Sequence, residues 1–326
     1  MFSDLRPTDV LAAAERIRPW IVRTPLVRSD ALSAIAGADV YLKLENRQTT
    51  GSFKLRGALN VIASLSPEVR VRGVVASSAG NHGMGVAFAA KQFGIDAKIF
   101  VPSTTPAVKR DGITALGASI DTSQPHYDAA MEAAIAFARE HGATFINPCA
   151  GSELLAGQGT IALEILSELP NLETLVVNVG GGGLVGGCAS LVRAVSPETT
   201  IIGAQSDQTA AMALSLGAGQ VVEIDNTPTL AEGLAGQIDD YALDIGQHAL
   251  DAIATVTEDD IADTIAWLWT EHGERVEGAG ACGVAAVRRQ KVTITGPAVI
   301  VVSGGNIDPN RFNGIVNAKQ SVDANR

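Results

Sequence analysis

The chain has 326 residues, which predicts one large domain or two closely joined domains, since domains usually span about 100 to 200 residues. Its 24 basic and 35 acidic residues give a net charge of −11, which repels phosphate backbones and anionic lipids. Nucleic acid and membrane surfaces are therefore excluded as expected partners. An apolar fraction of 46% excludes a disordered chain, and the 34 glycines exceed the average usage of about 7%.

The sequence carries no targeting or membrane signal. No basic segment leads into an apolar one at the N-terminus, and no apolar run approaches the roughly 18 residues of a membrane span. Three widely separated cysteines, Cys149, Cys188 and Cys282, predict reduced and buried thiols, and the five histidines show no ligand spacing. We therefore expect a cytoplasmic protein without a metal site built from its own side chains.

Short Val- and Ile-rich runs alternate with Ala-rich helical stretches between about residues 40 and 305. This alternation is typical of βαβ units around a parallel sheet and predicts the α/β class. Strands are predicted, in chain order, at residues 41–45, 73–78, 97–101, 118–122, 144–147, 175–179, 200–205 and 298–303.

Helices are predicted where apolar residues recur at spacings of three and four. Thr257 and Asp260 form the pattern of a capping box, which predicts the start of a helix that runs through His272. Residues 220–249 contain Asn226 and Pro228 with Gly233, Gly236 and Gly246, and this composition predicts a loop-rich segment. The other predicted helices cover residues 52–65, 83–93, 127–141, 152–166 and 184–195.

Four successive glycines follow the apolar run at 175–179 and lead into a helix. Residues without Cβ atoms let backbone N–H groups close around an anion, and the helix N-terminus adds its dipole. The segment predicts a phosphate site but does not identify the ligand. Read as Gly181-x-Gly183-x-x-Gly186, with Asp207 further on, it also satisfies the dinucleotide fingerprint.

Lys54 follows a polar loop and falls in the first turn of a predicted helix. The positive end of a helix disfavours a cation and favours a neutral, nucleophilic amine. Such an amine beside a phosphate site is what Schiff-base chemistry with pyridoxal phosphate (PLP) requires.

Two further segments place donors at strand ends, where ligands collect in open α/β sheets. In the first, the small residues at 77–80 expose backbone donors, and Ser78, Asn81 and His82 add side-chain donors suited to a carboxylate or a ring hydroxyl. In the second, Ser303 places a hydroxyl at the end of the last predicted strand.

With these residues the chain resembles the fold-type II PLP enzymes, specifically the threonine/serine dehydratase and serine racemase family. The resemblance spans nearly the whole chain. Its motifs are Ser-Phe-Lys-Leu-Arg-Gly-Ala at 52–58, Ser-Ala-Gly-Asn-His at 78–82, the glycines with Leu at 180–184, Val-Glu-Gly-Ala-Gly at 276–280 and Ser-Gly-Gly-Asn at 303–306.

The resemblance implies a fold like that of the tryptophan synthase β subunit, with two interwoven open parallel-sheet domains. Residues 1–50 and 150–326 would form the large PLP-binding domain, and residues 51–149 a small inserted domain. It also implies a homo-oligomer, a dimer or a tetramer.

The same resemblance implies the roles of the site residues. Lys54 would hold PLP as a Schiff base, Phe53 would pack near the ring, Asn81 would meet the ring hydroxyl, and Ser303 would bind the ring nitrogen. Because a serine hydroxyl does not enforce a protonated ring nitrogen, elimination is favoured over transamination. The remaining roles implied are phosphate binding by Gly180, Gly181, Gly182, Gly183 and Leu184, and substrate-carboxylate binding by Ser78, Ala79, Asn81 and His82.

The function implied is a dehydratase, or ammonia-lyase, that converts an L-β-hydroxy amino acid of the threonine or serine type to a 2-oxo acid and ammonia. Serine racemases of the family carry a serine where this chain has Ala79, which cannot exchange a proton, so a dehydratase is favoured over a racemase. The racemases also bind a divalent metal through acidic residues, and these align with Gln205 and Ala211, neither of which has a carboxylate. The resemblance therefore does not extend to this metal site, unless the alignment shifts by a residue and Asp207 supplies the acid.

Other substrates and another class of protein remain open alternatives. A dehydratase for 3-hydroxyaspartate would need a cation facing the second carboxylate, and one for phenylserine would need an apolar pocket. An NAD-dependent oxidoreductase would explain the dinucleotide fingerprint, but it would leave Lys54, the 78–82 loop and Ser303 without a role.

Overall fold

The computed structural model describes residues 5–225 and 227–324, which contain ten strands and fourteen α-helices. Eight of the strands coincide with the eight predicted from the sequence, with ends that differ by at most two residues. The strands are β1 (Leu26–Arg28), β2 (Val40–Leu44), β3 (Val74–Ser77), β4 (Ala97–Pro102), β5 (Ser119–Gln124), β6 (Thr144–Phe145), β7 (Thr174–Asn178), β8 (Thr200–Ser206), β9 (Ala252–Val256) and β10 (Ala298–Val302).

The strands form two sheets, which confirms the predicted α/β class. The larger has the order β1-β2-β10-β7-β8-β9 and the smaller the order β5-β4-β3-β6. All pairings are parallel except that of β1 with β2, which is antiparallel. Both sheets are thus open, and their order reverses along the chain, which creates crevices at the carboxyl ends of the strands.

Helices cover the faces of these sheets. The helices predicted at residues 52–65, 83–93, 127–141, 152–166 and 184–195 are confirmed, and Thr257 caps the helix that runs to His272 through the reciprocal capping box with Asp260. The helices are α1 (Pro7–Ile17), α2 (Asp30–Ala36), α3 (Lys54–Ser64), α4 (Pro67–Arg70), α5 (Asn81–Gln92), α6 (Ala107–Ala115), α7 (Tyr127–His141), α8 (Ser152–Glu168), α9 (Gly183–Val195), α10 (Ala211–Ala218), α11 (Asp240–Ala249), α12 (Glu258–His272), α13 (Gly278–Arg288) and α14 (Pro309–Ala324).

The central strands are apolar on both faces because each face packs against a separate core. On β10, Val299 and Val301 belong to one core, whereas Ile300 and Val302 belong to the core on the opposite face. This follows from the two-residue period of a strand, and it explains why central parallel strands appear in the sequence as continuous apolar runs. Every residue of β3, β7 and β10 is buried.

The prediction of a loop-rich segment at 220–249 is wrong for its last ten residues, which form α11. The Asp239 side chain accepts a hydrogen bond from Ala242 N and starts this helix. Gly246 lies within the helix and does not break it. The Met212 side chain of α10 packs where a Cβ of residue 246 would lie, so the glycine permits close packing of the two helices. Gly233 and Gly236 do lie outside regular α-helix, and Asn226 lies outside the described residues.

A buried cluster of ion pairs fixes the start of α3. Arg56 is fully buried and pairs with Glu45, just after β2, at 2.8 Å and with Glu164 of α8 at 2.8 Å. Burial by itself would lower the pKa of the guanidinium, but the two carboxylates raise it above its usual range. Lys43 of β2 also pairs with Glu164, at 2.6 Å. The cluster ties α3 to β2 and to α8.

Replacing Arg56 with Met leaves the Glu45 carboxylate buried without its cation. We expect Arg56→Met to lower the free energy of unfolding by about 3 to 5 kcal/mol, measured by urea denaturation. Arg18, whose side chain is 75% exposed in its pair with Glu15, provides the control, and Arg18→Met should change the value by less than about 0.5 kcal/mol. Equal effects of the two substitutions would contradict the role of the cluster.

Candidate active site

Lys54 is the first residue of α3, directly after the partly buried Phe53. Its amine donates a hydrogen bond to the backbone oxygen of Pro148 at 2.8 Å and lies 3.9 Å from the Cys149 sulfur. It also lies 5.2 Å from the centre of the Phe53 ring. The structure therefore directs the lysine away from its own helix and into the crevice beside the loop that follows β6.

The four glycines at residues 180–183, here called the glycine loop, connect β7 to α9 at the carboxyl end of the larger sheet. None of the backbone amides from Gly180 to Val185 donates a hydrogen bond to another described residue. Buried N–H groups are almost always paired, so this run of free donors at a helix N-terminus is suited to an external acceptor such as a phosphate. Gly182 has a φ of +84°, a conformation that favours glycine.

The glycine loop packs directly against the segment that contacts Lys54. A Cβ built at Gly181 would lie 2.9 Å from the Cys149 sulfur, and one at Gly183 would lie 2.9 Å from the Cys149 Cα. Larger residues at these positions would therefore push the loop away from Cys149. Cys149 thus lies between the lysine amine and the free amides of the loop.

Ser303 follows β10 and is almost fully buried. Its hydroxyl accepts a hydrogen bond from Asn178 Nδ2 at 3.2 Å, and its own proton has no acceptor among the described residues. Asn178 is held in turn by the backbone oxygen of Val301 and by the amide of Gly283. The backbone oxygen of Ser303 accepts from Phe53 N at 3.1 Å, so the hydroxyl lies at the same junction as Lys54.

The loop after β3 presents a second group of free donors. The amides of Ala79, Asn81, His82 and Gly83 donate to no described residue, and the Ser78 hydroxyl accepts only from Gly80 N, at 3.2 Å. The loop thus offers backbone and hydroxyl donors at the N-terminus of α5, an arrangement suited to a carboxylate.

The His82 ring is buried and faces away from solvent. Its Nε2 lies 2.9 Å from the backbone oxygen of Ile146, to which it donates, and its Nδ1 has no partner in the described chain. Burial, together with the positive charge of Lys54, lowers the pKa of His82 to about 3. The ring is therefore neutral at physiological pH and joins the 78–82 loop to the segment before Cys149.

Asn81 is held at both ends of its amide. Its Nδ2 donates to the Glu277 carboxylate at 2.7 Å, and its Oδ1 accepts from Asn306 Nδ2 at 2.7 Å. Burial raises the pKa of Glu277 to about 7, while the hydrogen bond from Asn81 acts in the opposite direction. Residues from three of the sequence motifs thus meet around Asn81.

The loop of residues 229–234, which precedes α11, lies against the glycine loop. A Cβ at Gly180 would lie 3.1 Å from the Leu234 Cα, so the residues around Leu234 border the free amides. The first residue of α12, Glu258, anchors this loop by accepting hydrogen bonds from the Ser206 and Thr229 hydroxyls, each at 2.6 Å, and from Leu230 N at 2.5 Å.

Sequence reasoning assigned no role to Asn178, Glu277, Cys149 or Glu258. Two of these residues carried a signal, since Asn178 interrupts an apolar strand just before the glycines and Glu277 is an acid directly before a run of small residues. Cys149 carried none, because its importance comes from neighbours more than thirty residues away. All three cysteines have free thiols, and Cys188 and Cys282 are buried as predicted. The prediction of a buried thiol is wrong for Cys149, which is partly exposed because it lies in the loop after β6 that faces the Lys54 amine.

Two features are absent from residues 5–225 and 227–324. These residues contain no group of three or more His, Cys, Asp or Glu side chains placed to hold a metal ion. In the same ranges, no helix is long and apolar enough to cross a membrane.

Comparisons with known proteins agree with this geometry. The family described as "Pyridoxal-phosphate dependent enzyme" matches residues 17–304. The L-threonine ammonia-lyase of Thermotoga maritima is 43% identical over 311 residues, which cover 95% of this chain and 77% of that protein. Maize serine racemase superposes with a TM-score of 0.91 at 30% identity, covering 98% of this chain and 99% of that one. The processed threonine deaminase isoform 2 of Solanum lycopersicum superposes with a TM-score of 0.89 at 32% identity, covering 96% of this chain and 87% of that one.

Free amides at a helix start, a lysine amine and a buried hydroxyl in one crevice define a PLP-enzyme site of the fold-type II class. The chain belongs to the pyridoxal-phosphate dependent enzyme family, within the threonine/serine dehydratase and serine racemase group. The residues present fit this cofactor: the amides of 180–185 offer donors for its phosphate, and Ser303 has a free hydroxyl proton for its ring nitrogen. PLP is therefore the cofactor of this protein, and the NAD alternative is set aside.

The neutral state of His82 predicts how stability depends on pH. The unfolded chain binds a proton at His82 below its ordinary pKa of about 6.5, whereas the folded protein does not until about pH 3. Stability from this group is therefore complete above pH 6.5 and falls as pH is lowered, by up to about 1.4 kcal/mol per unit. We expect His82→Gln to reduce the slope of unfolding free energy against pH between pH 7 and 5.

The matched control for this prediction is the exposed His248. His248→Gln should leave the slope as it is in the unmodified protein. An unchanged slope in His82→Gln, measured by urea denaturation at each pH, would contradict the neutral assignment.

Proposed function

We propose that this protein is an ammonia-lyase that converts an L-β-hydroxy amino acid of the threonine or serine type to a 2-oxo acid and ammonia. Water is first eliminated across the Cα–Cβ bond, and hydrolysis of the eliminated product then takes up one water and releases ammonia. The observation that carries the proposal is the position of the Lys54 amine, 3.9 Å from Cys149, which also packs against the free amides of the glycine loop. The L-threonine ammonia-lyase and threonine deaminase relatives support the same reaction.

Bound PLP supplies an electron sink that makes the α-proton of an amino acid acidic. Lys54 is the base that removes this proton, since its amine is the basic side chain placed in the crevice between Pro148 and Cys149. Ser303 would donate a hydrogen bond to the ring nitrogen and keep its proton, because an alcohol is a much weaker acid than a pyridinium. Asn178 donates to the same hydroxyl oxygen and so leaves the hydroxyl proton free for this bond.

The remaining residues of the proposal orient cofactor and substrate. The amides of Gly180, Gly181, Gly182, Gly183 and Leu184 bind the phosphate, Phe53 borders the ring, and Asn81 donates to the ring oxygen. The substrate carboxylate binds the loop of Ser78, Ala79, Asn81 and His82, to which His82 contributes its free backbone amide while its ring binds Ile146.

Ala79 distinguishes a dehydratase from a racemase. A racemase needs an acid or base on each face of the α-carbon, and the methyl group of Ala79 can neither donate nor accept a proton. Lys54 serves as the base on one face of the α-carbon, and Ala79 leaves the opposite face without an acid or base. The racemase relatives therefore share the fold, while the residues of this loop support elimination.

We also propose the organisation and setting of the protein. Residues 51–149 form a small domain inserted in a large one of residues 1–50 and 150–326, in keeping with the strands of the smaller sheet, which all lie between residues 74 and 145. The protein is cytoplasmic and forms a homo-oligomer, a dimer or a tetramer, and its partners are small amino acids rather than nucleic acid.

The role of Lys54 is tested by its removal. Lys54→Ala should reduce the formation of 2-oxo acid from L-threonine or L-serine by at least about 10³-fold and abolish the visible absorbance of the bound cofactor. Lys91→Ala, at an exposed position on α5, is the control and should retain both properties. Turnover that persists in Lys54→Ala would refute the assignment.

The substrate is tested with a panel of β-hydroxy amino acids that includes 3-hydroxyaspartate and phenylserine. We expect 2-oxo acid from threonine and serine, and no change in the enantiomer ratio of the remaining substrate. A preference for the diacid or the aromatic substrate, or racemisation that outpaces elimination, would replace the proposed reaction with one of the alternatives.

The phosphate role of the glycine loop is tested at Gly183. Gly183→Ala places a Cβ against the backbone of Cys149, so the loop must shift, and we expect the dissociation constant of PLP to rise about tenfold or more. Gly217→Ala in α10 adds a methyl group in open space and should leave cofactor binding unchanged. Equilibrium dialysis of the apoprotein measures both, and equal affinities would contradict the role.

A further inference from the structure

Glu277 lies at the N-cap position of α13, yet its side chain does not cap that helix. An acceptor at this position usually binds an amide of the first helical turn. The Glu277 carboxylate instead accepts from Asn81 Nδ2, which belongs to the other sheet unit and lies 196 residues away in sequence. The carboxylate thus serves Asn81 rather than its own helix.

The neighbours of Asn81 allow only one orientation of its amide. Above its pKa of about 7 the Glu277 carboxylate is ionised and can only accept a hydrogen bond, and an NH₂ group can only donate one. Glu277 therefore selects the Nδ2 end, while Asn306 Nδ2, which also donates to the backbone oxygen of Thr50 at 2.8 Å, selects the Oδ1 end. The second N–H of Asn81 Nδ2 donates to no described residue and is free for an external acceptor.

The pair packs closely against the end of β10. A Cβ at Gly304 would collide with the Glu277 carboxylate and lie 3.2 Å from Asn81 Nδ2, and the backbone oxygen of Gly304 accepts from Glu277 N at 3.1 Å. Because Gly304 directly follows Ser303, the orientation of the Asn81 amide is set next to the hydroxyl assigned to the cofactor ring.

We propose that Glu277 is a positioning residue that fixes the amide of Asn81 so that its free N–H points at the ring oxygen of the cofactor. The inference rests on the proposed function, which places Asn81 at that oxygen. Without the carboxylate, only the hydrogen bond from Asn306 to Oδ1 orients the amide, so the free N–H is held less firmly. A turned amide, which presents its oxygen to the ring oxygen and repels it, then competes with the binding orientation.

The first test is Glu277→Gln, which keeps the shape of the side chain but can offer either end of its amide to Asn81. We expect the dissociation constant of PLP from the apoprotein to rise about tenfold, the visible band of the bound cofactor to shift, and kcat to fall about tenfold. KM for the amino acid should change by less than about twofold, since the substrate contacts remain.

The double variant Glu277→Gln with Asn81→Asp separates positioning from stability. The new glutamine amide and Asn306 then both donate to the carboxylate at position 81, so the thermal unfolding temperature of the apoprotein should match that of the unmodified protein. The carboxylate has no N–H for the ring oxygen, so cofactor affinity should be no higher than in Glu277→Gln. Recovery of the affinity in this double variant would overturn the proposal.

The control is Glu274→Gln, three residues earlier. Glu274 is also buried, but it binds Arg47 and Asn46 rather than Asn81. This substitution should lower thermal stability and leave cofactor affinity and the visible band unchanged. Asn306→Ala, which releases the other end of the Asn81 amide, tests the same orientation if Glu277→Gln does not fold.

Unchanged cofactor affinity and an unchanged band in folded Glu277→Gln would refute the positioning role while leaving the proposed function intact. Failure of the proposed function has a different signature. In that case the unmodified protein itself neither binds PLP nor forms 2-oxo acid.

Discussion

The buried guanidinium of Arg56 joins α3, the helix that begins with Lys54, to β2 and α8. It lies two residues after Lys54 and pairs with Glu45 at the end of β2 and with Glu164 of α8. Since a buried ion pair adds little net stability over an apolar alternative, its value here lies in geometry. Because β2 and α8 are both held to the guanidinium of Arg56, the first turn of α3 is fixed in position, and the direction of the Lys54 side chain is fixed with it.

The sequence predicts most of the fold because the central strands face two cores and are therefore continuously apolar. What it misses lacks such a pattern. β1 has three residues, mostly exposed, and β9 is an edge strand with one fully buried residue, Val256. α11 was hidden by Gly246, which is typical of a helix break in sequence but here lies within the helix, with the Met212 side chain packed where a Cβ would be.

The site divides in the same way. The glycine loop, Lys54 and Ser303 can be found from sequence because each lies at a strand end or helix start, and the structure confirms those locations. Their roles toward the cofactor stay predictions. The partners of these residues could not be deduced, since Asn178 reaches Ser303 and Glu277 reaches Asn81 across more than a hundred residues. Such contacts depend on how the elements pack, which local patterns do not record.

The glycine loop has a consequence for how this chain can change over generations. A substitution replaces a side chain and, except for proline, leaves the main-chain amide in place, so point mutations in the loop rarely remove a donor. They can only fill space, and the space at Gly181 and Gly183 is already taken by Cys149. At Gly181 it is the side chain of Cys149 that takes the space, so natural variants should exchange bulk between residues 149 and 181 as a pair. At Gly183 it is the backbone of Cys149, so no side chain at position 149 makes room and this glycine should not vary.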